Sequence, residues 1–301
     1  MTTRSLAGAG KPILALGASI LAAVLVAGCV SPAATGPGST SGTPGQTGDA
    51  GGAATPSAPT AGFYLRAWQT QALAPQYTFG WLPAATIADG QYIDGQVAIP
   101  MIYPGPLYVG PFSSPISAAG IDAIVGEAQA DGLLGATTDF AAGLMPGSIS
   151  AHIEIVVDGV KHELTGTPPT DAAPAKVTPG TPAAFQAFWT KITSLQTWLA
   201  ADLGPSSAYQ PKSMAVMPVQ PTAAPSGMTP QVVKWPLSST FATFGTATGG
   251  TRCGVVTGAD LALLLPVVQA ANALTRFTDS TGASMSLTVR VLVPGETGPC
   301  A

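Results

Sequence analysis

The sequence has few charged side chains. Asp, Glu, Lys and Arg make up 9% of its 301 residues, against about 25% in typical soluble proteins. Acidic residues outnumber basic ones by 15 to 11, and no stretch is rich in Lys or Arg. Nucleic acids and anionic lipid headgroups are bound through basic patches, so we expect neither as a partner.

Residue types that carry catalysis are also scarce, since the chain has only two histidines and three cysteines. The part expected to fold contains no nucleophile elbow, no zinc-protease motif, no Cys-x-x-Cys pair and no phosphate-binding glycine loop. The sequence therefore predicts no catalytic residue and no cofactor.

What is present begins with an export signal. Arg4 and Lys11 precede an apolar segment at 13–27, which is short and rich in Ala and Gly for a membrane span. The segment ends in Leu-Val-Ala-Gly-Cys, which resembles a lipobox. We therefore expect a signal peptide at 1–28 and lipidation of Cys29. The alternatives are an ordinary secretory signal with a chance cysteine, or an uncleaved membrane helix.

Lipidation would anchor the chain at the extracytoplasmic face of the cell membrane. After Cys29, residues 30–62 are almost entirely Gly, Ser, Thr, Pro and Ala. Such a segment buries too little surface to fold, so we expect a flexible tether at 29–62 with a typical reach of roughly 30 Å. Loss of the signal peptide would leave nine basic and fifteen acidic residues, a net charge of −6.

The other two cysteines are Cys253 and Cys300. Two cysteines in an oxidising compartment predict one disulfide. The alternative is a pair of free buried thiols.

Hydrophobic periodicity in the remaining residues predicts an α+β fold, with antiparallel sheets and about three packed helices. Strands are predicted at 63–70, 77–82, 150–157, 160–165, 213–219, 231–235 and 285–293. Tight hairpin turns are predicted at the Asp-Gly pairs 89–90, 94–95 and 158–159. Helices are predicted at 117–132, at 182–203 and from Thr257, which is paired with Asp260 in a capping-box-like spacing.

The chain also shows signs of an internal repeat. Residues 117–121 match 257–261 at an offset of 140, and apolar positions of both helices continue the match. This favours a duplicated sheet-plus-helix unit, the first at 63–203 and the second at 204–301. The alternative is coincidence between two amphipathic helices.

The hairpin at 150–165 is the one place where a metal site can be argued. A two-residue turn places His152, Glu154, Lys161 and Glu163 on one face. A histidine and two carboxylates could hold a divalent cation. The alternative is a solvated face on which Lys161 offsets the repulsion between the carboxylates, with His162 packed on the apolar side.

Three further residues are weak candidates for ligand binding. Tyr103 and Tyr108 belong to an aromatic loop that could stack on a sugar or a peptide, or could simply fill a gap over a sheet. Asp139 follows the first helix and could bind a ligand or cap the backbone.

Several segments together resemble a group of exported lipoproteins of high-GC bacteria. The resemblance rests on 77–83 with Asp-Gly at 89–90, on Tyr-Pro-Gly-Pro-Leu at 103–107, on 120–134 and on the C-terminal cysteine pair. It implies an anchored location and no particular activity. One helix region, 258–276, also resembles subtilisin-inhibitor-like domains, although the second cysteine pair of that family is absent.

These features predict a membrane-anchored extracytoplasmic lipoprotein that acts as a non-enzymatic binding or interaction module. Its partners would be the membrane, through the lipid, and a protein or small-molecule ligand that the sequence does not identify. Two alternatives stay open. One is a hydrolase or metal-dependent enzyme using the 150–165 hairpin face, and the other is a protease inhibitor with a rigid loop near the disulfide.

Overall fold

The structure is a computed structural model, and it describes residues 62–71, 78–98, 100–141, 147–169, 177–248 and 250–300. The predicted signal peptide, Cys29 and the tether up to residue 61 lie outside the described residues. Contacts divide the chain into units at 1–52 and 53–301, and every described residue belongs to the second unit. No helix among the described residues is long and apolar enough to cross a membrane.

The first sheet has eight strands. In chain order they are β1 (Tyr64–Thr70), β2 (Ala85–Ala88), β3 (Gln91–Asp94), β4 (Phe112–Pro115), β5 (Asp139–Phe140), β6 (Ser150–Val157), β7 (Val160–Gly166) and β8 (Ser207–Ala208). Their order across the sheet is β5-β7-β6-β1-β2-β3-β4-β8. All neighbouring strands are antiparallel except β5 and β7. Strand β1 lies near the centre of the sheet, with β6 on one side and β2 on the other.

The second sheet has six strands. They are β9 (Ser213–Val219), β10 (Val232–Lys234), β11 (Thr246–Thr248), β12 (Thr251–Thr257), β13 (Arg276–Thr278) and β14 (Ser284–Leu292), in the order β10-β13-β14-β9-β12-β11. Only the pair of β10 and β13 is parallel. The fold is therefore α+β with two mostly antiparallel sheets, as predicted.

Within the described residues, four helices accompany the sheets: α1 (Ala118–Ala130), α2 (Pro182–Thr193), α3 (Leu195–Trp198) and α4 (Gly258–Ala270). The Ser117 hydroxyl accepts a 3.0 Å hydrogen bond from the Gly120 amide and so caps α1. The Thr181 hydroxyl caps α2 in the same way, and Pro182 occupies its first turn. These two N-termini confirm the sequence prediction.

The helix predicted at 182–203 is interrupted at Ser194, which separates α2 from α3, and a short 3-10 turn follows at Ala200–Asp202. Near the break the Thr190 and Thr193 hydroxyls donate to the carbonyls of Gln186 and Trp189, both at 2.9 Å. Hydroxyl side chains that bond back to the helix in this way compete with its regular continuation.

Three other local predictions are wrong. Residues 78–82 of the predicted strand at 77–82 are not in a strand; the chain turns there, with the Trp81 amide bonded to the Thr78 carbonyl at 2.9 Å, and Phe79 packs on the second sheet beside Met217. Tyr77 is outside the described residues. Asp94-Gly95 is not a hairpin turn, since β3 runs to Asp94. The Thr257 side chain makes no capping hydrogen bond to α4, because the chain passes directly from β12 into the helix.

Each sheet covers its own apolar core. The first core packs β1, β6 and β7 against α1 and α2, with Leu65, Ile153 and Phe188 wholly buried. The second packs β9 and β14 against α4. The helices α1 and α4 have equal lengths at the predicted offset of 140, and in both sheets a strand after the helix returns beside the first strand. The first sheet inserts β2 and β3 where the second has no counterpart, so the duplication stays a prediction.

Candidate functional site

The outer face of the first sheet carries a row of polar and aromatic side chains. Side chains alternate along β1, so Leu65 and Ala67 enter the core while Tyr64, Arg66, Trp68 and Thr70 share the opposite face. The register places Arg66 opposite Glu154 and Trp68 opposite His152 on β6. The hairpin face identified from the sequence therefore continues onto β1.

The hairpin itself pairs as predicted. His152 faces Thr165 and Glu154 faces Glu163, with Asp158 and Gly159 at positive φ in the turn. The Lys161 ammonium lies 3.2 Å from one Glu154 oxygen and 2.5 Å from a Glu163 oxygen. The apolar side chains Ile153, Ile155 and Leu164 are buried on the other face, and His162 is half-buried there.

The side chains predicted as possible metal ligands, His152, Glu154 and Glu163, form hydrogen bonds or ion pairs with other side chains of the protein. Arg66 Nη2 donates a 3.0 Å hydrogen bond to Glu154, so both Glu154 oxygens have a cationic partner. His152 bonds the Thr70 hydroxyl through Nε2 at 2.8 Å and the Thr165 hydroxyl through Nδ1 at 3.2 Å. Burial lowers the pKa of His152. Within the described part of the chain, no group of three His, Cys, Asp or Glu side chains is arranged to hold a metal ion.

The Trp68 ring contacts two side chains on the same face of the sheet, Arg66 on its own strand and His152 opposite it on β6. The Arg66 guanidinium carbon lies 4.3 Å from the ring centroid, and the His152 ring stacks on Trp68 at 5.2 Å. These contacts hold Trp68 in place as a rigid wall.

The segment after β14 returns to cover the outer face of β1. The Tyr64 hydroxyl donates to the Pro294 carbonyl at 3.0 Å, and Arg66 Nη1 donates to the Gly295 carbonyl at 3.1 Å. Glu296 pairs with Arg290 and accepts a 3.0 Å hydrogen bond from the Val293 amide. The segment ends at the predicted disulfide, which joins Cys300 to Cys253 on β12 with Cα atoms 5.2 Å apart.

The turn at 78–83 lies beside Trp68 of β1 and the segment after β14, and these three parts of the chain form the walls of a cleft. Its anchor is Phe79, which is 2% exposed and packs in a small core with Ala215, Met217, Leu292 and the disulfide. Trp81 follows two residues later and is half-buried. Burial of Phe79 therefore fixes the position of the Trp81 backbone.

These three walls enclose a cleft of about 350 Å³, lined by Arg66, Trp68, Trp81, Arg290 and Glu296 among others. A second cavity of about 290 Å³ lies beside it and extends to Trp189 and Thr193 on α2. Gln69, Trp81 and Leu82 border both. The volume of the larger cavity falls within the range of small-molecule sites, about 300–1,000 Å³.

The charges in the cleft are paired and largely buried. The side chains of Arg290 and Glu296 are 9% and 10% exposed, and those of Arg66 and Glu154 are 17% and 14% exposed. The Nε atoms of both arginines are buried and have no hydrogen-bond partner in the described structure. Each guanidinium is thus held by a carboxylate through its terminal nitrogens.

The remaining candidates from the sequence do not border the cleft. Tyr103 is 60% exposed on the loop before Gly105. Tyr108 is half-buried against the second core, and burial raises its pKa. The Asp139 carboxylate accepts a 2.9 Å hydrogen bond from the Ala141 amide, which is the backbone-capping alternative.

The residues that do line the cleft were not singled out from the sequence. Arg66, Trp68 and Thr70 alternate on a correctly predicted strand. The signal in the sequence that could have identified them was a charged and an aromatic residue on the polar face of that strand. Arg290 and Trp81 gave no such signal, because their neighbours in the cleft are distant in sequence.

Comparison with known proteins found no matching family model, curated protein or solved structure.

Proposed function

We propose that the protein is a membrane-anchored extracytoplasmic binding module that holds a small ligand in the cleft. The observation that carries the proposal is the cleft itself, in which two tryptophans, the largely buried Arg290–Glu296 pair and Arg66, which is paired with Glu154, come together from distant parts of the chain. Aromatic side chains with a small number of fixed polar groups are a usual feature of small-molecule sites.

The state of the ionisable groups favours binding over catalysis. A general acid or base must exchange a proton with the ligand. Arg66 and Arg290 are each engaged with a carboxylate, and Glu296 is held by Arg290 and by the Val293 amide. These side chains are placed to stabilise the walls and to present a fixed polar surface.

The anchoring part of the proposal rests on the sequence. Arg4, Lys11, the apolar segment 13–27 and the lipobox-like end at Cys29 form a lipoprotein signal. The tether at 29–62 leads into β1, which begins at Tyr64 and forms one wall of the cleft. The ligand would therefore be held outside the cell, close in sequence to the anchor.

Lipidation is tested by Cys29→Ala in the native host. The variant is expected to lose acyl incorporation and to remain as an uncleaved precursor of higher mass, whereas Cys300→Ser is expected to be processed normally. Processing of the Cys29 variant to a chain that begins near residue 30 would show that an ordinary signal peptidase acts, and would contradict the anchor.

Binding is tested by a thermal-shift screen of small polar molecules against the full-length detergent-solubilised protein. Ligands of the cleft are expected to raise the melting temperature of the wild type and of Trp198→Ala, but not of Trp81→Ala. Trp198 is a matched control because it is also half-buried but lies on α3, with Lys191 over its ring. Hits that stabilise all three proteins equally would contradict the proposed site.

A further inference from the structure

We propose that the ligand of the cleft is an uncharged saccharide, bound with a sugar ring on Trp81. This inference rests on the proposed binding function and gives its ligand class. Three independent features of the cleft carry it: the balance of charge, the Trp81 ring, on which no ring or cation of the described residues stacks, and the polar side chains around that ring.

The charges in the cleft cancel in pairs. Arg66 faces Glu154, and Arg290 faces Glu296 at a site where both side chains are about nine-tenths buried. An anionic ligand would have to displace one of these carboxylates, and a cationic ligand one of the arginines. Separating a buried ion pair leaves an uncompensated charge and is costly, so the site favours a ligand without net charge.

The two tryptophans differ in what covers them. Trp68 is already in contact with the Arg66 guanidinium and the His152 ring. Within the described residues, no ring and no cation stacks on Trp81, although it borders both cavities. An aromatic ring that lines a cavity without a stacked partner can serve as a platform for a flat, partly apolar ligand surface, and the C–H face of a sugar ring provides one.

Amide and hydroxyl side chains surround this platform. Gln69 borders both cavities, while Thr70, Gln71 and Thr297 border the larger one. Amides and hydroxyls each combine donors with acceptors, which matches a ligand whose rim consists of hydroxyl groups. Gln69 is exposed near the end of β1, so its amide can reorient to meet those hydroxyls, whereas the Thr70 hydroxyl is held by His152.

The two cavities suggest more than one sugar unit. They lie side by side, with Trp81, Gln69 and Leu82 common to both. A linear oligosaccharide of two or three units would extend from the arginine end, near Arg290, past Trp81 toward Thr193 on α2. Trp81 would then stack on the central unit, where the loss of its ring is expected to have the largest effect.

The test is isothermal titration of the full-length protein in detergent with cellotriose, maltotriose and chitotriose, with trigalacturonic acid and trialanine as an acidic sugar and a peptide. At least one neutral trisaccharide is expected to bind. Its affinity is expected to fall about tenfold or more in Trp81→Ala, to fall less in Trp81→Phe, and to be unchanged in Trp198→Ala. Because an uncharged ligand is not screened, its affinity should not change between 0.05 and 0.5 M salt.

The outcomes separate this inference from the proposed function. Binding of only the acidic sugar or only the peptide, weakened by Trp81→Ala, would overturn the saccharide assignment and leave the cleft as the binding site. A neutral trisaccharide that binds wild type and Trp81→Ala equally would overturn both. Folding of each variant is checked by its melting temperature, and Trp81→Phe keeps the test valid if the alanine variant is unstable.

Discussion

The hydroxyl of Tyr64 lies 3.0 Å from the carbonyl oxygen of Pro294 and donates a hydrogen bond to it across 230 positions of the chain. This contact joins the first strand to the segment that follows the last strand. Arg66 reinforces it through the Gly295 carbonyl. The cleft therefore depends on the C-terminal segment staying against β1.

The disulfide is expected to hold that segment in place. Cys300→Ser should lower the free energy of unfolding by about 2–5 kcal/mol, the usual cost of a lost native disulfide. Chain ends fray unless they are tied down, so hydrogen exchange should accelerate first in β14 and the segment after it. Intact-mass analysis showing two free thiols in protein purified without reductant would contradict the pairing of Cys253 with Cys300.

Gly295 is expected to be essential for the same contact. Its φ of +80° disfavours any other residue, and a Cβ atom there would lie 2.1 Å from the Tyr64 hydroxyl oxygen. Gly295→Ala should therefore displace the segment and weaken ligand binding as well as stability. Gly227→Ala is the control, since Gly227 has a φ of +84° but nothing within 4 Å of the added Cβ. Equal losses of stability in the two variants would show that backbone strain alone is responsible.

Asp131 is expected to destabilise the fold at neutral pH. It lies at the C-terminal end of α1, where a negative charge opposes the helix dipole, and its Oδ2 is buried without a hydrogen-bond partner in the described structure. Burial raises its pKa, Glu127 raises it further and Lys191 lowers it. Asp131→Asn should raise the free energy of unfolding by about 1 kcal/mol at pH 7.

The sign of this effect depends on pH. The pKa of Asp131 is higher in the folded than in the unfolded chain. The folded protein is therefore less stable with Asp131 ionised, and stability is lost as the pH rises through the folded-state pKa. The gain from Asp131→Asn, measured by urea unfolding, should therefore shrink at acidic pH. Asp122→Asn, on the exposed side of α1, is the control and should change stability by less than about 0.5 kcal/mol. A loss of stability in Asp131→Asn at pH 7 would contradict this account.

His152 is expected to make the first sheet sensitive to mild acid. Burial lowers its pKa below the ordinary value of about 6.5, and its neutral ring bonds Thr70 and Thr165. Its stabilisation is therefore present above about pH 6.5 and is lost as pH falls through the lowered pKa. Unfolding curves of wild type and His152→Gln between pH 5 and 7.5 should converge toward the acidic end; parallel curves would refute the prediction.

Local chemistry explains why parts of the fold could be predicted. The hairpin around Asp158-Gly159 follows from a two-residue turn and strict alternation, and its pairing from His152 to Thr165 agrees with the structure. The strand predicted at 77–82 failed because an aromatic run fits equally well a turn that inserts Phe79 into another sheet. The prediction of a hairpin turn at Asp94-Gly95 was wrong because the glycine there has another role. The backbone at Gly95 passes close to Pro83, where an added Cβ would lie 1.8 Å from the Pro83 carbonyl oxygen.

The cleft could not be predicted by the same reasoning. Arg66 meets Glu154 because β1 and β6 are neighbours, and it meets Gly295 because the chain returns after β14. Neither adjacency leaves a periodic signal in the sequence. The polar face of β1 was predictable, but its partners depend on how the two sheets are connected.

The most direct test of the account is to observe the indole N–H groups during ligand titration. The chain has five tryptophans, and their ¹⁵N indole signals can be assigned with single Trp→Phe variants of the full-length protein in detergent. On addition of the neutral trisaccharide that binds most tightly, the signal of Trp81 should shift most, that of Trp68 should shift less, and those of Trp198 and Trp235 should stay unchanged. Saturable binding that leaves the Trp81 signal unmoved would contradict the account.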